Sequence, residues 1–183
     1  MGAPEQTTGP SLQDLLDDAA LAGEWILDPA RSSVSLSSRS MGGLVSVRGV
    51  FRQVSGNGRV SQDGQVSGTF AVATASVDTR NARRDRHLRS ADFFDSDDHP
   101  DITFTAEGIS PSRRGVTVTG TLSVRGRGRP LAFDAAAALQ RGGEIWLDAE
   151  LIINRADFGL TWNLLGLVPI DSAVTVHGVF TRR

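Results

Sequence analysis

Apolar and polar residues alternate with a period of two through the second half of the chain, and this pattern restricts the fold more than any other feature. Successive side chains of a β-strand point to opposite faces, so such alternation predicts a strand with one buried face. Three segments between residues 116 and 153 carry the pattern. Their inward positions are Val116, Val118, Gly120, Leu122 and Val124, then Leu131, Phe133, Ala135, Ala137 and Leu139, then Ile145, Leu147, Ala149, Leu151 and Ile153.

Shorter alternating segments lie before these three and one follows them. They contain Trp25 and Leu27, Val34 and Leu36, Val45 to Phe51, Phe70 to Ser76, and finally Val174 and Val176. We predict a turn at Gly42-Gly43 and hairpins at Gly56-Asn57-Gly58 and Asp63-Gly64, because these residues adopt the backbone angles of tight turns. Many short strands joined in this way predict an antiparallel sandwich or closed barrel. We favour the barrel, since closure leaves no exposed strand edge.

Several inward positions carry small residues, namely Gly120, Ala135, Ala137 and Ala149. Small residues facing a core either allow a close approach of neighbouring elements or leave empty space. A barrel of about eight strands can be filled by side chains or can hold one small ligand. Few polar groups share the inward faces, so a cavity in this barrel would be apolar and long and would suit an apolar ligand.

The first 23 residues differ from the rest of the chain. Residues 1–10 are polar and are predicted to be a disordered lead, and residues 11–23 to form an amphipathic helix that Ser11 could cap. This helix either packs against the barrel, which extends over residues 24–183, or recruits a partner. No apolar run resembles a signal peptide or a membrane span, so we expect a cytoplasmic protein with no stable membrane insertion.

Composition argues against several functional classes. The net charge is −2, all 19 basic residues are Arg, and the 183 residues include no cysteine and three histidines. The charge speaks against general binding of nucleic acids. The histidines lack metal-ligand spacing, and no nucleophile elbow or phosphate-binding glycine loop occurs. We therefore expect no catalytic residue, no metal and no cofactor, and binding in preference to catalysis.

The stretch Asp78–Phe104 interrupts the alternating pattern. Connections of this length in a compact domain are usually functional or disordered, and we predict a helical crossover near residues 80–95, laid across the barrel. Its Phe93-Phe94 pair would anchor the crossover. His87 could face the pocket and bond a ligand oxygen, or could bond backbone carbonyls as a structural residue. Basic residues are frequent in it: Arg80, Arg83, Arg84, Arg86 and Arg89.

Two readings of these arginines stay open. Guanidinium groups pair with phosphate in a bidentate manner, so one or two of them could hold a diphosphate headgroup. Alternatively, they form a solvated helix face that pairs with nearby carboxylates, which are Asp78, Asp85, Asp92 and Asp95. Near the C-terminus, Asn154, Arg155 and Asp157 are predicted to fix a strand bend through side-chain to backbone hydrogen bonds.

The tetrapeptide Arg127-Gly128-Arg129-Pro130 matches the core of a minor-groove DNA hook. Such hooks lie in flexible tails, whereas this one lies between two predicted strands in an acidic chain. We interpret it as a hairpin turn and expect no nucleic-acid partner.

Ordered motifs over residues 24–182 resemble one family. They are Trp25-Ile26-Leu27-Asp28-Pro29, Ser33-Val34-Ser35-Leu36, Val47-Arg48-Gly49-Val50-Phe51, Ser76-Val77-Asp78-Thr79, residues 84–95 (RDRHLRSADFFD), His99-Pro100-Asp101-Ile102-Thr103-Phe104, residues 118–126 (VTGTLSVRG) and residues 154–162 (NRADFGLTW). The sequence is similar to the YceI family of lipocalin-like, polyisoprenoid-binding proteins.

The resemblance implies an all-β fold: an eight-stranded antiparallel lipocalin-like barrel with an elongated apolar pocket that holds isoprenoid chains such as quinones or polyprenyl phosphates. The chain is similar to a cytoplasmic branch without a signal peptide. It departs from the family at Ser40, where a His is common after the Arg, and in a short segment, Asn163 to Leu167, that replaces a longer glycine-rich loop. These changes affect one rim of the pocket and a headgroup contact.

The sequence thus predicts a protein that carries or sequesters one isoprenoid-type lipid, as a monomer or a homodimer. Two alternatives stay open: a cofactor-free cyclase that folds an apolar polyene, and a stress-linked interaction protein whose barrel is closed. The predicted ligand-binding residues are His87, Arg84, Leu88, Phe93, Phe94, Phe104, Leu122, Phe133, Phe158 and Trp162.

Overall fold

The structure is a computed structural model that describes residues 20–40, 45–113, 115–161 and 170–183. Most of the predicted N-terminal helix, the Gly42-Gly43 turn, Trp162 and the segment that follows it lie outside the described residues. Eleven strands are present in the described part of the chain. They are β1 (Gly23–Leu27), β2 (Ser33–Ser40), β3 (Val45–Phe51), β4 (Val54–Val60), β5 (Val66–Ala73), β6 (Val77–Asp78), β7 (Asp101–Ser112), β8 (Gly115–Val124), β9 (Arg127–Leu139), β10 (Ile145–Asn154) and β11 (Asp171–Arg182).

Eight of these strands close into an antiparallel ring, in the order β1-β4-β5-β7-β8-β9-β10-β11, and β11 returns to β1. Closure depends on β11, whose last residues, Phe180–Arg182, pair with β1. Its earlier residues, Ala173–His177, pair with β2, which continues to β3 and β6. The closed eight-stranded antiparallel barrel that the alternation and the family resemblance predicted is confirmed.

The hairpin predicted at Gly56-Asn57-Gly58 is wrong. These residues lie inside β4 and pair with Phe70, Thr69 and Gly68 of β5. The glycine at 56 is required by a close backbone approach, since a Cβ there would lie 2.9 Å from the Thr69 carbonyl oxygen. The turn at Asp63-Gly64 is confirmed, and Gly64 has the positive φ of 77° that such turns favour.

The turn predicted at Arg127–Pro130 is also wrong, because these residues form the start of β9 and pair with β8. The turn lies one step earlier, at Arg125 and Gly126, which both have positive φ, 50° and 69°. Two residues of this kind make the tight turn whose twist fits a hairpin. The tetrapeptide is therefore part of an ordered strand, unlike a flexible DNA hook.

The small inward residues have different roles. Gly120 allows β7 to approach, because a Cβ there would lie 2.1 Å from the Thr105 carbonyl oxygen and 2.8 Å from the Phe104 ring. Ala135 and Ala149 pair across β9 and β10, and both are buried. Ala137 lines the empty interior. Close packing therefore explains three of these positions and open space explains the fourth.

The crossover contains the predicted helix, α1 (Ala82–Arg89). Asn81 caps it, since the Asn81 side chain accepts a hydrogen bond of 3.0 Å from the backbone N–H of Arg84. Phe94 anchors the crossover to the barrel with only 6% of its surface exposed. Its ring lies 5.9 Å from that of Phe51 and 4.8 Å, edge to face, from that of Phe93. The anchoring role predicted for this phenylalanine pair is confirmed.

The antiparallel ladder defines two ends of the barrel. At the first, which we call the apolar end, β4, β7, β9 and β11 finish and β1, β5, β8 and β10 begin; Leu21, Trp25 and Val60 form a buried cluster there. At the second, which we call the helix end, β5 and β10 finish and β7 begins. The crossover of residues 79–100, with α1, covers this end, and a larger apolar cluster around Phe51, Phe94 and Phe158 supports it.

Candidate functional site

The interior of the barrel is a cavity of about 990 Å³. Its wall is built from the inward faces of the strands, so aliphatic and aromatic side chains dominate it. The wall includes Val34, Leu36, Phe70, Phe104, Val116, Val118, Leu131, Phe133, Leu147, Leu151 and Val176. A barrel filled by its own side chains, which one alternative required, does not fit this empty space.

Polar lining residues concentrate at the helix end. They are Ser38, Asn81, Arg83, Arg84, His87, Arg155 and Ser172. A second polar set, Asn57, Arg59, Ser67 and Thr69, comes from β4 and β5, where Arg59 lies opposite Glu24 in the strand register of β4 and β1. No Asp or Glu is among the lining residues in the described part of the chain. The cavity is therefore mostly apolar, with three arginines and a histidine at its helix end and a smaller polar set on β4 and β5.

Nine of the ten residues predicted to bind a ligand line this single cavity. They are Arg84, His87 and Leu88 of α1, Phe93 and Phe94 after it, and Phe104, Leu122, Phe133 and Phe158 of the wall. Phe104 of β7 and Phe133 of β9 lie on either side of β8, with ring centroids 5.3 Å apart. Trp162 lies outside the described residues. The geometry brings the nine together, and contact with a ligand stays a prediction.

Arg84 is held in place by Thr79. Its Nε donates to the Thr79 hydroxyl at 2.7 Å, and its Nη2 donates to the Thr79 carbonyl at 2.9 Å. The same hydroxyl donates to the buried carboxylate of Asp85 at 2.6 Å, and that carboxylate also accepts the Thr79 backbone N–H at 2.9 Å. These bonds fix the direction of a guanidinium that lines the cavity.

The pairing of the crossover arginines with nearby carboxylates, which one of the two readings required, is wrong for three of the four acids, since Asp85 accepts from Thr79. Asp78 accepts from Nε of Arg52 at 2.7 Å, and Asp95 pairs with Arg125 at 3.4 Å. Arg89 instead donates to the Val77 carbonyl at 2.8 Å. Of the five arginines, Arg83 and Arg84 line the cavity. The cluster therefore divides into two cavity-lining residues and three that the cavity does not include.

His87 also lines the cavity, and its Nε2 atom is buried. It follows Arg83 by four positions on α1, so both side chains belong to one face of the helix. The position of His87 in the cavity wall agrees with a ligand-binding role. The structural role, in which the imidazole ring bonds backbone carbonyls, stays open beside it. The helix thus presents Arg83, Arg84, His87 and Leu88 to the interior.

Sequence reasoning placed Arg155 only in a strand bend, and the structure adds a cavity position. Its Nη1 donates to the Leu160 carbonyl at 2.6 Å, and the Asn154 side chain accepts from the Ala156 N–H at 2.9 Å, which confirms their role in the bend. Arg155 is only 5% exposed and lines the cavity. Burial lowers the pKa of this guanidinium below its ordinary value. Continued by one step, the alternation of β10 places residue 155 on the inward side, and this was the sequence signal for its cavity position.

The apolar end was also missed as part of the site. Leu21 and Trp25 line the cavity with 2% and 3% of their surfaces exposed. The Trp25 indole N–H donates to the Leu21 carbonyl at 3.0 Å, and the Arg182 guanidinium lies over the Trp25 ring at 5.2 Å. The alternation that predicts Trp25 and Leu27 to face inward was the sequence feature that could have identified this part of the site.

No group of three or more His, Cys, Asp or Glu side chains in the described ranges could hold a metal ion. Among the same residues, no helix has the length and apolar character needed to cross a membrane.

Comparison with known proteins agrees with this geometry. The family described as the YceI-like domain matches residues 25–181. A UPF0312 protein of Pectobacterium carotovorum is 35% identical over 115 residues, which are 59% of this chain and 59% of the relative. Protein YceI of Escherichia coli is 32% identical over 115 residues, 59% of this chain and 60% of that protein. The chain thus spans 59–60% of the length of these curated relatives.

Solved structures share the fold. BcnA of Burkholderia cenocepacia has a TM-score of 0.75 at 23% identity, covering 85% of this chain and 99% of that chain. A polyisoprenoid binding domain from Saccharophagus degradans has a TM-score of 0.73 at 19% identity, covering 87% and 98%. A YceI protein of Campylobacter jejuni has a TM-score of 0.64 at 25% identity, covering 76% and 86%.

Proposed function

Because the chain belongs to the YceI-like domain family, we propose that it binds one long apolar lipid of the isoprenoid type inside its barrel, as a carrier or a sequestering protein. The observation that carries this proposal is the cavity of about 990 Å³ with its almost continuous apolar wall. The polyisoprenoid binding domain of Saccharophagus degradans has the same fold, and this likeness supports the ligand class.

Burial of apolar surface would supply the affinity. Each square ångström of apolar surface removed from water contributes about 25 cal/mol, before the cost of ordering the chain of the ligand is subtracted. Aromatic pairs in the wall, such as Phe104 and Phe133, offer flat surfaces to the methyl-branched units of an isoprenoid. The ligand's tail would lie along the strands toward the apolar end, where Leu21 and Trp25 are buried.

The polar end of the ligand would lie at the helix end. Arg84 and His87 are the candidate headgroup contacts, because both line the cavity beneath the crossover. A quinone would accept hydrogen bonds from them at its carbonyl oxygens, and a polyprenyl phosphate would accept them at its phosphate oxygens. Both headgroups are included in the proposal.

The cyclase alternative uses the same cavity, since a shaped apolar space can hold a polyene in a reactive fold. Binding alone does not separate carrier from enzyme. Incubation with a linear polyene, followed by mass spectrometry and chromatography for cyclised products, makes the separation. Unchanged substrate supports the binding protein.

Native mass spectrometry of freshly purified protein, followed by solvent extraction of whatever is bound, tests the proposal. We expect a stoichiometric adduct that extraction identifies as an isoprenoid lipid. If no adduct is present and neither quinones nor polyprenyl phosphates are taken up, the proposal fails. The cytoplasmic location and the homodimer stay predictions, which cell fractionation and analytical ultracentrifugation address.

A further inference from the structure

The charges around the cavity are one-sided at the helix end. Arg83, Arg84 and Arg155 line it there, and no carboxylate is among the lining residues that the structure describes. A neutral ligand would cover the half-buried guanidinium of Arg84 without supplying a counter-charge, whereas an anionic ligand would supply one.

The guanidinium of Arg84 is arranged in advance for such a ligand. Its Nε and one Nη2 proton are used by Thr79, which leaves the Nη1 group outside these two bonds. Asp85 takes part only through Thr79, whose hydroxyl and backbone N–H it accepts. The side chain is thus oriented by neighbours that do not form a direct ion pair with it. A fixed donor loses little conformational freedom when a ligand binds.

From these observations we infer that the helix end selects an anionic phosphate headgroup over a neutral headgroup on the same isoprenoid tail. Arg84 is the main contact, and Arg83 and Arg155 add positive charge at the same end of the cavity. Hydrogen bonds from guanidinium to phosphate oxygens are charge-assisted and stronger than those to a neutral carbonyl or hydroxyl. This inference rests on the proposed function, because it presupposes that the barrel holds an isoprenoid tail.

The test compares two ligands that share one tail, a polyprenyl phosphate and the polyprenol of the same length. Binding is measured by isothermal titration or by quenching of tryptophan fluorescence. We expect the wild-type protein to bind the phosphate at least about tenfold more tightly than the alcohol. Equal affinities would overturn the inference and leave the proposed function standing. If neither ligand binds, the proposed function itself fails.

Two substitutions in α1 test whether Arg84 is the residue that contacts the phosphate. Arg84→Gln should reduce the preference for phosphate by about tenfold, because it weakens binding of the phosphate more than binding of the alcohol. Arg86→Gln is the matched control, because Arg86 lies on the same helix, is exposed and does not line the cavity. Equal loss of both ligands in Arg84→Gln, or the same effect in both variants, would overturn the role of Arg84.

A salt titration of the wild type needs no variant, so it serves if Arg84→Gln does not fold. Salt screens interactions between charges and leaves apolar burial intact or strengthens it. We expect the affinity for the phosphate to fall as NaCl rises while that for the alcohol does not fall. Parallel behaviour of the two ligands would contradict an electrostatic headgroup site.

Discussion

The two ends of the barrel differ in the side chains that form them. The apolar end is packed by Leu21, Trp25 and Val60, and the polar bond in this cluster joins the Trp25 indole to the Leu21 carbonyl. The helix end is covered by the crossover, which places Arg84 and His87 beside the cavity. The helix end therefore offers donors that α1 holds in place, while the apolar end combines the buried Leu21, Trp25 and Val60 cluster with the polar residues of β4 and β5.

This difference shows how one barrel can orient a ligand. The wall between the ends is apolar and does not distinguish the direction of a long chain. Only the ends differ, so the orientation of the ligand must be decided there. A polar headgroup beside the Leu21, Trp25 and Val60 cluster would lose its hydrogen bonds with water, whereas beneath α1 it would find Arg84 and His87.

The largest expected effect comes from filling the space between the ends. Ala137→Trp places an indole in the cavity, because Ala137 lines it. We expect uptake of a polyprenyl phosphate to fall below detection in native mass spectrometry, since the indole occupies the volume that the tail requires.

Ala138→Trp is the matched control, one residue further along β9 and exposed on the outer face. It should bind the lipid like the wild type. Equal uptake by the two variants would mean that the lipid is held outside the barrel.

The second largest effect is expected from a substitution that weakens the packing of the crossover at the helix end. Phe94→Ala removes a ring that is 6% exposed and packs against Phe51 and Phe93, so we expect unfolding free energy to fall by about 3–5 kcal/mol. Urea denaturation measures this loss, and the folded variant should retain less bound lipid after purification. Trp146→Ala, which removes a half-exposed ring on the outer face, is the control and should change both quantities much less. Unchanged lipid occupancy in Phe94→Ala would separate this residue from the site.

A smaller loss of stability is expected from a substitution at the apolar end. Trp25→Phe removes the indole N–H that bonds the Leu21 carbonyl, and we expect a stability loss of about 1–3 kcal/mol in urea denaturation. Because this end has no proposed headgroup role, the ratio of phosphate to alcohol affinity should stay at the wild-type value. A changed ratio would show that the two ends do not act separately.

The smallest effect concerns the start of the crossover. The pKa of Asp78 lies below its ordinary value of 3.8, first because its carboxylate accepts the Arg80 N–H and second because it accepts from Arg52. Since folding lowers this pKa, the ionised carboxylate stabilises the folded state above pH 3.8, and the contribution is lost as the pH falls through the lowered pKa.

Denaturation midpoints of the wild type and Asp78→Asn, measured between about pH 7 and pH 3, check this expectation. The wild type should be slightly more stable at neutral pH, and the two curves should converge in acid. Asp92→Asn, an exposed residue of the same crossover, provides the control for a change of net charge. A constant difference across the range would contradict the assignment.

The sequence predicted the barrel and most of its cavity because period-two alternation reports directly which residues face inward. The sequence-based prediction was wrong where glycine, which is typical of turns, instead allows close packing of strands. Glycine at 56 and 58 resembled a hairpin, yet the structure uses both inside β4, and Gly56 lies against the backbone of β5. The pattern at Arg127–Pro130 failed for a related reason, since Arg125 and Gly126 already supply the turn.

The candidate site was predictable in its residues and less so in its charges. The family resemblance and the crossover pointed to Arg84, His87 and Phe94, which all line the cavity. The partners of the crossover carboxylates were not predictable, because Arg52 and Arg125 reach Asp78 and Asp95 from distant parts of the chain. Arg155 was missed for another reason: its place in the predicted strand bend drew attention from the period of β10, which already points this position inward.

The central claim is that a lipid lies in the barrel with its polar head at the helix end. Photocrosslinking tests it with two polyprenyl phosphates of equal length, one with a diazirine beside the phosphate and one with a diazirine at the far terminus. We predict that the first labels peptides containing Thr79–Ser90 and the second labels peptides containing Trp25 or Val60. Reversed labelling, or attachment of both probes to the outer face around Trp146, would contradict the account.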